Sequence, residues 1–101
     1  MTDHRILDEG EIDFGFVDQK GRACGYRWTI QPHTHYQTGR AMVRLHGGPT
    51  RRRPTARTAS LYGPAHHVDV ETLEQARQLA AKRVENSRKR DAKKFTHKET
   101  A

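Results

Sequence analysis

Polar side chains capable of directional hydrogen bonds recur at every second position in two segments of the sequence. Arg27, Thr29 and Gln31 alternate with apolar residues in the first segment, and Arg44 and His46 do the same in the second. In a strand, this spacing places the side chains on one face of the sheet. Arginine can bridge two acceptors of guanine, glutamine can bridge those of adenine, and threonine can contact the methyl group of thymine. The pattern favours a sheet face that contacts DNA bases, although a solvated sheet face would have a similar composition.

A second set of basic residues is suited to contacts with phosphate groups. It comprises residues of an arginine-rich segment and of the end of a predicted helix, namely Arg51, Arg52, Arg53, Arg57, Arg88, Lys89, Arg90, Lys93 and Lys94. Such contacts would add affinity for nucleic acid but little sequence preference. The alternative interpretation is that these residues are solvated and keep a small protein soluble.

The distribution of charge along the chain is uneven. Residues 1–20 have a net charge of −4, residues 21–68 carry eight arginines and no carboxylate, and residues 69–101 have a net charge of +3. The middle segment cannot neutralise its own charge. Either the acidic N-terminal residues or a partner such as nucleic acid must therefore do so.

Catalytic and metal-binding chemistry is poorly represented in the sequence. Carboxylates cluster only at residues 8–13, and a magnesium-dependent nuclease would need several of them to converge. Balancing the arginine-rich segment is the simpler interpretation of this cluster. The seven histidines match no established zinc-binding spacing, and Cys24 is interpreted as a small core residue. We therefore predict that the protein is not an enzyme and has no metal or cofactor.

Alternating apolar and polar residues predict three strands, at residues 11–17, 22–31 and 41–46. The residues between the first two strands have the composition of a hairpin turn. Pro32 is predicted to end the second strand, and the Gly-Gly-Pro run that follows His46 is predicted to end the third. Residues 59–62 form a candidate fourth strand.

The strongest secondary-structure pattern is a helix at residues 70–94. Thr72 and Gln75 form a capping box at its start. Rotation by about 100° per residue places a narrow stripe of small side chains on one side of the helix. The stripe consists of Leu73, Ala76, Ala80, Val84 and Ser87. Beyond Val84 the apolar period stops, so the second half of the helix is predicted to be a basic extension with little to bury.

These elements predict an α+β fold, in which a small antiparallel sheet of three to four strands has one C-terminal helix packed on one face, in the order β-β-β-(β)-α. The face covered by the helix would present Phe14, Phe16, Tyr26, Trp28, Ile30, Val43 and Leu45. The expected organisation is a flexible acidic N-terminus at residues 1–10, a single domain at residues 11–87 with a mobile arginine-rich loop at residues 47–58, and a basic C-terminal tail at residues 88–101.

The order of the elements, with a helix that begins TLEQAR at residues 72–77, resembles the small sheet-reading domains of plant ethylene-response factors and of some phage integrase N-termini. The resemblance extends over about 70 residues at the level of element order and includes no signature motif. It implies a sheet that docks against DNA.

The sequence thus predicts a small nucleic-acid-binding protein, an accessory or regulatory factor of bacterial or phage origin that binds DNA rather than RNA, as a monomer or homodimer. The alternative is a phage- or plasmid-encoded inhibitor or adaptor that binds a host protein complex, of the anti-CRISPR-like or transcription-associated kind. Small size, an open sheet edge and zones of opposite charge fit this alternative equally well. The polar N-terminal residues, the lack of a long apolar run and the single cysteine predict a cytoplasmic location without membrane association.

Overall fold

The protein is an antiparallel sheet covered on one side by a C-terminal helix. The computed structural model describes residues 5–55, 57–58 and 60–95. The ends of the predicted N-terminal and C-terminal segments, residues 1–4 and 96–101, lie outside the described residues. The elements are β1 (Asp8–Val17), β2 (Ala23–Thr34), β3 (Ala41–Arg52), β4 (Ser60–Leu61), β5 (His66–Val70) and α1 (Leu73–Phe95). All strand pairs are antiparallel, and the predicted α+β fold is confirmed.

The sheet has the order β1-β2-β3, and two short strands share the remaining edge of β3. β5 pairs with residues 43–47 of β3, and β4 pairs with Thr50 and Arg51. β4 lies within the predicted candidate strand, of which Ala59 is outside the described residues. Strand β5 is not predicted from the sequence, because its segment HHVDV contains only two apolar side chains and too few residues to show a period.

Strands β1 and β2 extend beyond their predicted ends. β1 begins at Asp8, and the backbone N–H of Leu7 donates a hydrogen bond to the carbonyl oxygen of Ile30 (2.8 Å). The predicted flexible segment at residues 1–10 is therefore partly within the sheet. β2 continues past Pro32, so the prediction that this proline ends the strand is wrong. The β1–β2 pairing ends at Ile30, and on such a local edge a proline is tolerated.

Strand β3 also continues past its predicted end at His46, as far as Arg52. The prediction of an arginine-rich loop at residues 47–58 is therefore wrong for its first six residues. Pro49 is compatible with the strand because it lies between the segment that pairs with β5 and the segment that pairs with β4. Its carbonyl oxygen accepts a hydrogen bond from the backbone N–H of Tyr62 (2.9 Å), so the proline stands at the end of the β4 pairing, where the lack of an N–H is tolerated.

Gly47 has a packing role rather than a turn role. It lies directly opposite Trp28 in the β2–β3 register. A Cβ atom at position 47 would lie 3.0 Å from both Tyr26 Cε1 and Trp28 Cβ. A glycine here lets β2 carry two large aromatic side chains beside β3, whereas the sequence pattern alone indicates a strand end.

The core lies between the helix and the centre of the sheet. Ile30, Leu45, Ala76 and Ala80 are fully buried there. Partly buried apolar side chains surround them, namely Leu7, Trp28, Val43, Val68, Val70, Leu73 and Leu79. The alanines of the predicted stripe thus allow a close approach of the helix to the sheet.

Phe14 and Phe16 do not belong to this core, contrary to the prediction. They lie between Asp13 and Val17, where the register of β1 with β2 is interrupted. Their rings contact each other, with centroids 5.9 Å apart. Their alternation with polar residues predicts a core position only if β1 pairs regularly with β2, and the pairing is not regular between Asp13 and Val17.

Helix α1 begins as the sequence predicts. Oγ1 of Thr72 accepts a hydrogen bond from the backbone N–H of Gln75 (3.1 Å), and Oε1 of Gln75 accepts one from the backbone N–H of Thr72 (3.1 Å). This reciprocal pair is the predicted capping box. Across the described residues, no helix combines the length and the apolar character that crossing a membrane requires.

The second half of α1 also buries side chains. The helix continues to Phe95, so residues 88–95 of the predicted basic tail are helical. Ser87 and Asp91 are only 2% and 5% exposed. The prediction that this half has little to bury is therefore wrong, and polar side chains replace the apolar ones of the first half.

Candidate nucleic-acid interface

The open face of the sheet carries the side chains that are predicted to contact bases. The β2–β3 register pairs Thr29 with His46 and Gln31 with Arg44, and Arg27 follows in the same alternation. Directly paired residues of an antiparallel sheet point to the same side. The five residues are therefore adjacent on the face that points away from the helix.

Arg44 is paired within this face. Its Nε and Nη2 donate hydrogen bonds to the two carboxylate oxygens of Asp69, at 2.8 and 3.1 Å. His33 lies beside them, with Nε2 3.0 Å from Nη2 of Arg44 and 3.7 Å from Oδ2 of Asp69. The hydrogen bonds between Arg44 and Asp69 lower the pKa of Asp69 and raise the pKa of Arg44. An arginine paired in this way has fewer N–H groups left for guanine than its position in the sequence suggests.

Strand β1 adds negative charge to the same face. Its register pairs Glu9 with Thr29 and Glu11 with Arg27. Asp13, the next in the alternation, accepts a hydrogen bond from Nη2 of Arg52 (3.2 Å). The sheet face therefore has mixed charge, which weakens its attraction for a phosphate backbone.

Arg51 lies inside the protein. Its side chain is 7% exposed, with Nη1 3.2 Å from Oδ2 of Asp91 and Nε 3.6 Å from Oδ2 of Asp18. Among the described residues, Oδ2 of Asp91 accepts no well-aligned hydrogen bond, so its contact with Arg51 is an ion pair without hydrogen-bond geometry. The prediction that Arg51 contacts phosphate does not fit this buried position.

The other arginines predicted in this segment are closer to the surface than Arg51. Arg52 is paired with Asp13 as described above. Arg53 follows the end of β3, and Arg57 lies in the connection to β4; both are exposed. These residues can add positive charge near the end of β3, where Arg52 lies in the same alternation as Arg44 and His46.

The second half of α1 presents a group of cations to solvent. Rotation by about 100° per residue places Lys82, Lys89 and Lys93 opposite the buried side of the helix and Arg90 on one flank. Lys94, in the last turn, is turned toward the sheet, where it lies beside Tyr62. All five are exposed, and within the described chain no carboxylate forms an ion pair with any of them. We call these five residues the basic helix surface. Four of them are among the predicted phosphate contacts; Lys82 is not, although the same rotation places it beside Lys89.

Arg88 is on the opposite flank and is paired. It donates hydrogen bonds to Glu85 through Nε (3.1 Å) and through Nη2. These bonds lower the pKa of Glu85 and raise the pKa of Arg88. Although Arg88 is one of the predicted phosphate contacts, its charge is compensated locally.

The basic helix surface adjoins the β1–β2 turn. Lys94 lines a cleft of about 140 Å³ together with Lys20, Arg22 and Tyr62. The guanidinium group of Arg22 lies over the ring of Tyr62, 4.6 Å from its centroid, and a hydrogen bond with Arg22 lowers the pKa of Tyr62. Lys20 and Arg22 are not among the predicted contacts, because about 50 residues of sequence separate them from the start of the helix and no local pattern links them to it.

Asp18 positions Arg22 in this turn. Its Oδ1 accepts hydrogen bonds from the backbone N–H groups of Lys20 and Arg22, both at 2.9 Å, and its Oδ2 accepts one from Nε of Arg22 (2.9 Å). Burial by itself would raise the pKa of Asp18, but these hydrogen bonds outweigh it, so the pKa is lowered. The carboxylate thus stays charged and holds Arg22 next to Tyr62.

The carboxylates near the N-terminus are directed to different partners. Asp8 accepts a hydrogen bond from Nε of Arg77 on the helix (2.8 Å), whereas Asp13 pairs with Arg52 on β3. Within the part of the chain that the structure describes, no group of three or more His, Cys, Asp or Glu side chains is placed to hold a metal ion.

Cys24 is buried, and this burial raises the pKa of its thiol.

In comparisons with known proteins, no family model, curated protein or solved structure matches this chain. No matching solved structure therefore supports the resemblance in element order to sheet-reading DNA-binding domains. Strand β5 also adds a paired element that the predicted order lacks. Function is accordingly inferred from the geometry and charge of the chain itself.

Proposed function

We propose that this protein binds nucleic acid, and DNA in particular, through phosphate contacts of the basic helix surface. The observation that carries the proposal is the presence of five exposed cations on one helix, three of them on the side opposite the core, with no ion-paired carboxylate among the described residues to neutralise them. Such contacts supply affinity that depends on salt and little on sequence. Lys20 and Arg22 extend the surface beyond the end of the helix.

In this proposal the open sheet face has a secondary role. Arg27, Thr29 and Gln31 remain candidate base contacts, since they are adjacent on one face. The acidic residues of β1 and the pairing of Arg44 with Asp69 reduce the positive charge there. A protein with these properties would act as a small accessory or regulatory factor in the cytoplasm of a bacterium, encoded by the host or by a phage.

The experiment that tests the proposal is fluorescence anisotropy with labelled duplex DNA, single-stranded DNA and an RNA hairpin. Each is titrated at several salt concentrations between about 0.05 and 0.2 M. We expect the tightest binding with duplex DNA. The logarithm of the binding constant should fall with the logarithm of the salt concentration, by about 0.9 for each neutralised phosphate.

A pair of double variants with matched charge locates the surface. Replacing Lys89 and Lys93 with glutamine should reduce the salt slope by about two. Replacing Arg77 and Arg88 with glutamine removes the same charge, but from residues that are paired with Asp8 and Glu85. Equal losses of affinity in both double variants would show that only net charge matters and would contradict the assignment of the surface.

The alternative function, docking on a host protein complex, leads to the opposite binding result. Binding would then be weak, equal for the three nucleic acids and absent near physiological salt, because nonspecific charge attraction is screened there. In that case the positive charge is not a nucleic-acid site.

A further inference from the structure

A cleft separates the second half of α1 from the part of the sheet formed by β3 and β5. Its volume is about 370 Å³. Its helical wall consists of Arg83, Asn86, Ser87 and Arg90, which the helical rotation of about 100° per residue places on one flank. The cleft lies beside the basic helix surface and shares only Arg90 with it.

The wall opposite the helix offers little steric hindrance and some apolar surface. Gly47 and Gly48 leave this part of β3 without side chains, and Pro49 and Pro64 lie next to them. The volume falls in the range of about 300–1,000 Å³ that is typical of small-molecule sites. The cleft is therefore large enough for one nucleotide, with flat apolar groups on the side that faces the helix.

The helical wall is cationic and contains a buried hydroxyl group without a partner. Arg83 and Arg90 are two helical turns apart, roughly 10 Å along the axis. Ser87 lies between them; it is 2% exposed, and within the described residues its Oγ makes no hydrogen bond. Of the described residues that line the cleft, none is acidic. Buried hydroxyl groups in native proteins nearly always have a partner, so a bound ligand that pairs with Ser87 would complete the site.

Arg83 is held in place across one end of the cleft. Its Nη1 donates a hydrogen bond to the carbonyl oxygen of His66 on β5 (3.0 Å). A guanidinium group has five N–H donors, so this bond orients Arg83 and leaves other N–H groups for a ligand. The chemistry that fits an oriented guanidinium group is a phosphate, which it binds through two parallel hydrogen bonds.

We propose that this cleft binds a nucleotide through its phosphate monoester group. The phosphate lies between Arg83 and Arg90, where the amide of Asn86 and the hydroxyl of Ser87 add hydrogen bonds, and the nucleobase lies against the two prolines. A free nucleotide and the 5′-terminal nucleotide of a phosphorylated strand share this chemistry. Only the second source rests on the proposed DNA binding.

The first test is isothermal titration calorimetry of the full chain with AMP and with adenosine. We expect AMP to bind at least about tenfold more tightly, because only AMP offers charge-assisted hydrogen bonds to the arginines. Equal affinities for the two ligands would overturn the proposal. Failure to bind AMP would also overturn it, unless a phosphorylated strand end is preferred in the test described below.

Variants assign the binding to the cleft. Arg83→Gln should weaken AMP binding by about tenfold or more, and Ser87→Ala should weaken it by about threefold or more. Ser87→Ala removes only a hydroxyl group without a partner, so its thermal unfolding should be unchanged and loss of fold cannot explain the result. Arg88→Gln, the matched charge control on the other flank, should bind AMP like the unmodified protein. Equal weakening by Arg83→Gln and Arg88→Gln would overturn the proposal.

Oligonucleotides of one sequence, with a 5′-phosphate or a 5′-hydroxyl group, distinguish the two sources. If the phosphorylated strand binds more tightly and Ser87→Ala abolishes the difference, the ligand of the cleft is a strand end. If AMP binds without such a difference, the ligand is a free nucleotide. Both results support nucleotide binding in the cleft. If the protein binds duplex DNA but neither binds AMP nor prefers the 5′-phosphate, the proposed nucleotide site is overturned and the proposed DNA binding is unaffected. AMP binding without duplex binding supports the cleft and refutes only the DNA binding.

Discussion

The guanidinium group of Arg51 and the carboxylate of Asp91 form a buried ion pair that joins strand β3 to helix α1. Nη1 of Arg51 lies 3.2 Å from Oδ2 of Asp91, and the side chains are 7% and 6% exposed. The ring of Phe95 adds to the contact, with its centroid 5.4 Å from Cζ of Arg51. Because a buried charge is costly without a partner, this pair explains why the helix packs against the sheet beyond the end of its apolar period.

Removal of one partner of this pair should destabilise the protein strongly. Among the described carboxylates, Asp91→Ala leaves the buried charge of Arg51 with Asp18 alone, at 3.6 Å. We expect the free energy of unfolding, measured by urea denaturation, to fall by about 3–5 kcal/mol. Glu85→Ala breaks the exposed pair with Arg88 and should have a much smaller effect. Similar losses of stability in the two variants would show that Asp91 is not needed to stabilise the buried charge of Arg51.

Gly10 and Trp28 are paired across β1 and β2, and the indole ring occupies the space that a side chain at position 10 would need. A Cβ atom there would lie 2.5 Å from Cζ2 of Trp28. Gly10→Ala should therefore lower the free energy of unfolding by about 1–3 kcal/mol. Unfolding can be followed by the fluorescence of Trp28, the only tryptophan. Glu9→Ala, an exposed neighbour in the same strand, serves as the control and should change stability little.

Features that depend on residues close together in the sequence are predicted correctly. The capping box of Thr72 and Gln75 and the β1–β2 hairpin follow from local composition. The shared face of Thr29 and Gln31 with Arg44 follows from alternation once β2 and β3 are neighbours. In these cases the physical cause, a period or a cap, lies within a few residues.

Features that depend on distant residues are missed. Arg51 and Asp91 each lie among other charged residues, and nothing local indicates that they are buried together. The pairing of Arg44 with Asp69 requires strand β5, which is too short to be predicted. Gly47 looks like a turn residue until Trp28 is placed opposite it.

The pairing of Asp69 with Arg44 should make stability depend on acid pH. Hydrogen bonds from Arg44 lower the pKa of Asp69 below its ordinary value of 3.8, and the nearby His33 and His67 act in the same direction. A pKa that is lower in the folded state contributes stability that is present above pH 3.8 and is lost as the pH falls through the lowered pKa. Urea denaturation at a series of pH values measures this loss.

Asp69→Asn is the variant that isolates this contribution. It should be less stable than the unmodified protein at neutral pH and should lose less stability on acidification. A residual acid dependence is expected from Asp18. Burial raises the pKa of Asp18, but its hydrogen bonds have the larger total effect, so this pKa is also lowered. The same acid profile in the variant and the unmodified protein would contradict a role for the Asp69–Arg44 pair.

Tyr62 should ionise at a lower pH than an ordinary tyrosine. Its hydrogen bond with Arg22 lowers the pKa below the ordinary value of 10.0. Near-ultraviolet absorbance during an alkaline titration should therefore show a step below pH 10.0, which Tyr62→Phe removes and Arg22→Gln moves to higher pH. The stability associated with this shift is fully present above the unfolded pKa and is lost as the pH falls through the folded pKa. A step that persists in Tyr62→Phe would assign the shift to another tyrosine.

The open sheet face and the basic helix surface should make different contributions to DNA binding. Arg27 lies on the sheet face among hydrogen-bonding side chains, so Arg27→Ala should weaken binding to a preferred sequence by about 1–3 kcal/mol and leave the salt slope almost unchanged. Lys89→Gln should weaken binding to all sequences alike and reduce the slope by about one.

Selection from a randomised duplex library, followed by titration of the enriched and the unselected duplexes, measures both effects. Glu11→Ala, opposite Arg27 in the β1–β2 register, removes a negative charge from the sheet face and should tighten binding if DNA contacts that face. If Arg27→Ala and Lys89→Gln instead weaken all duplexes equally, the protein contacts only the backbone, and the sheet face has no part in base recognition.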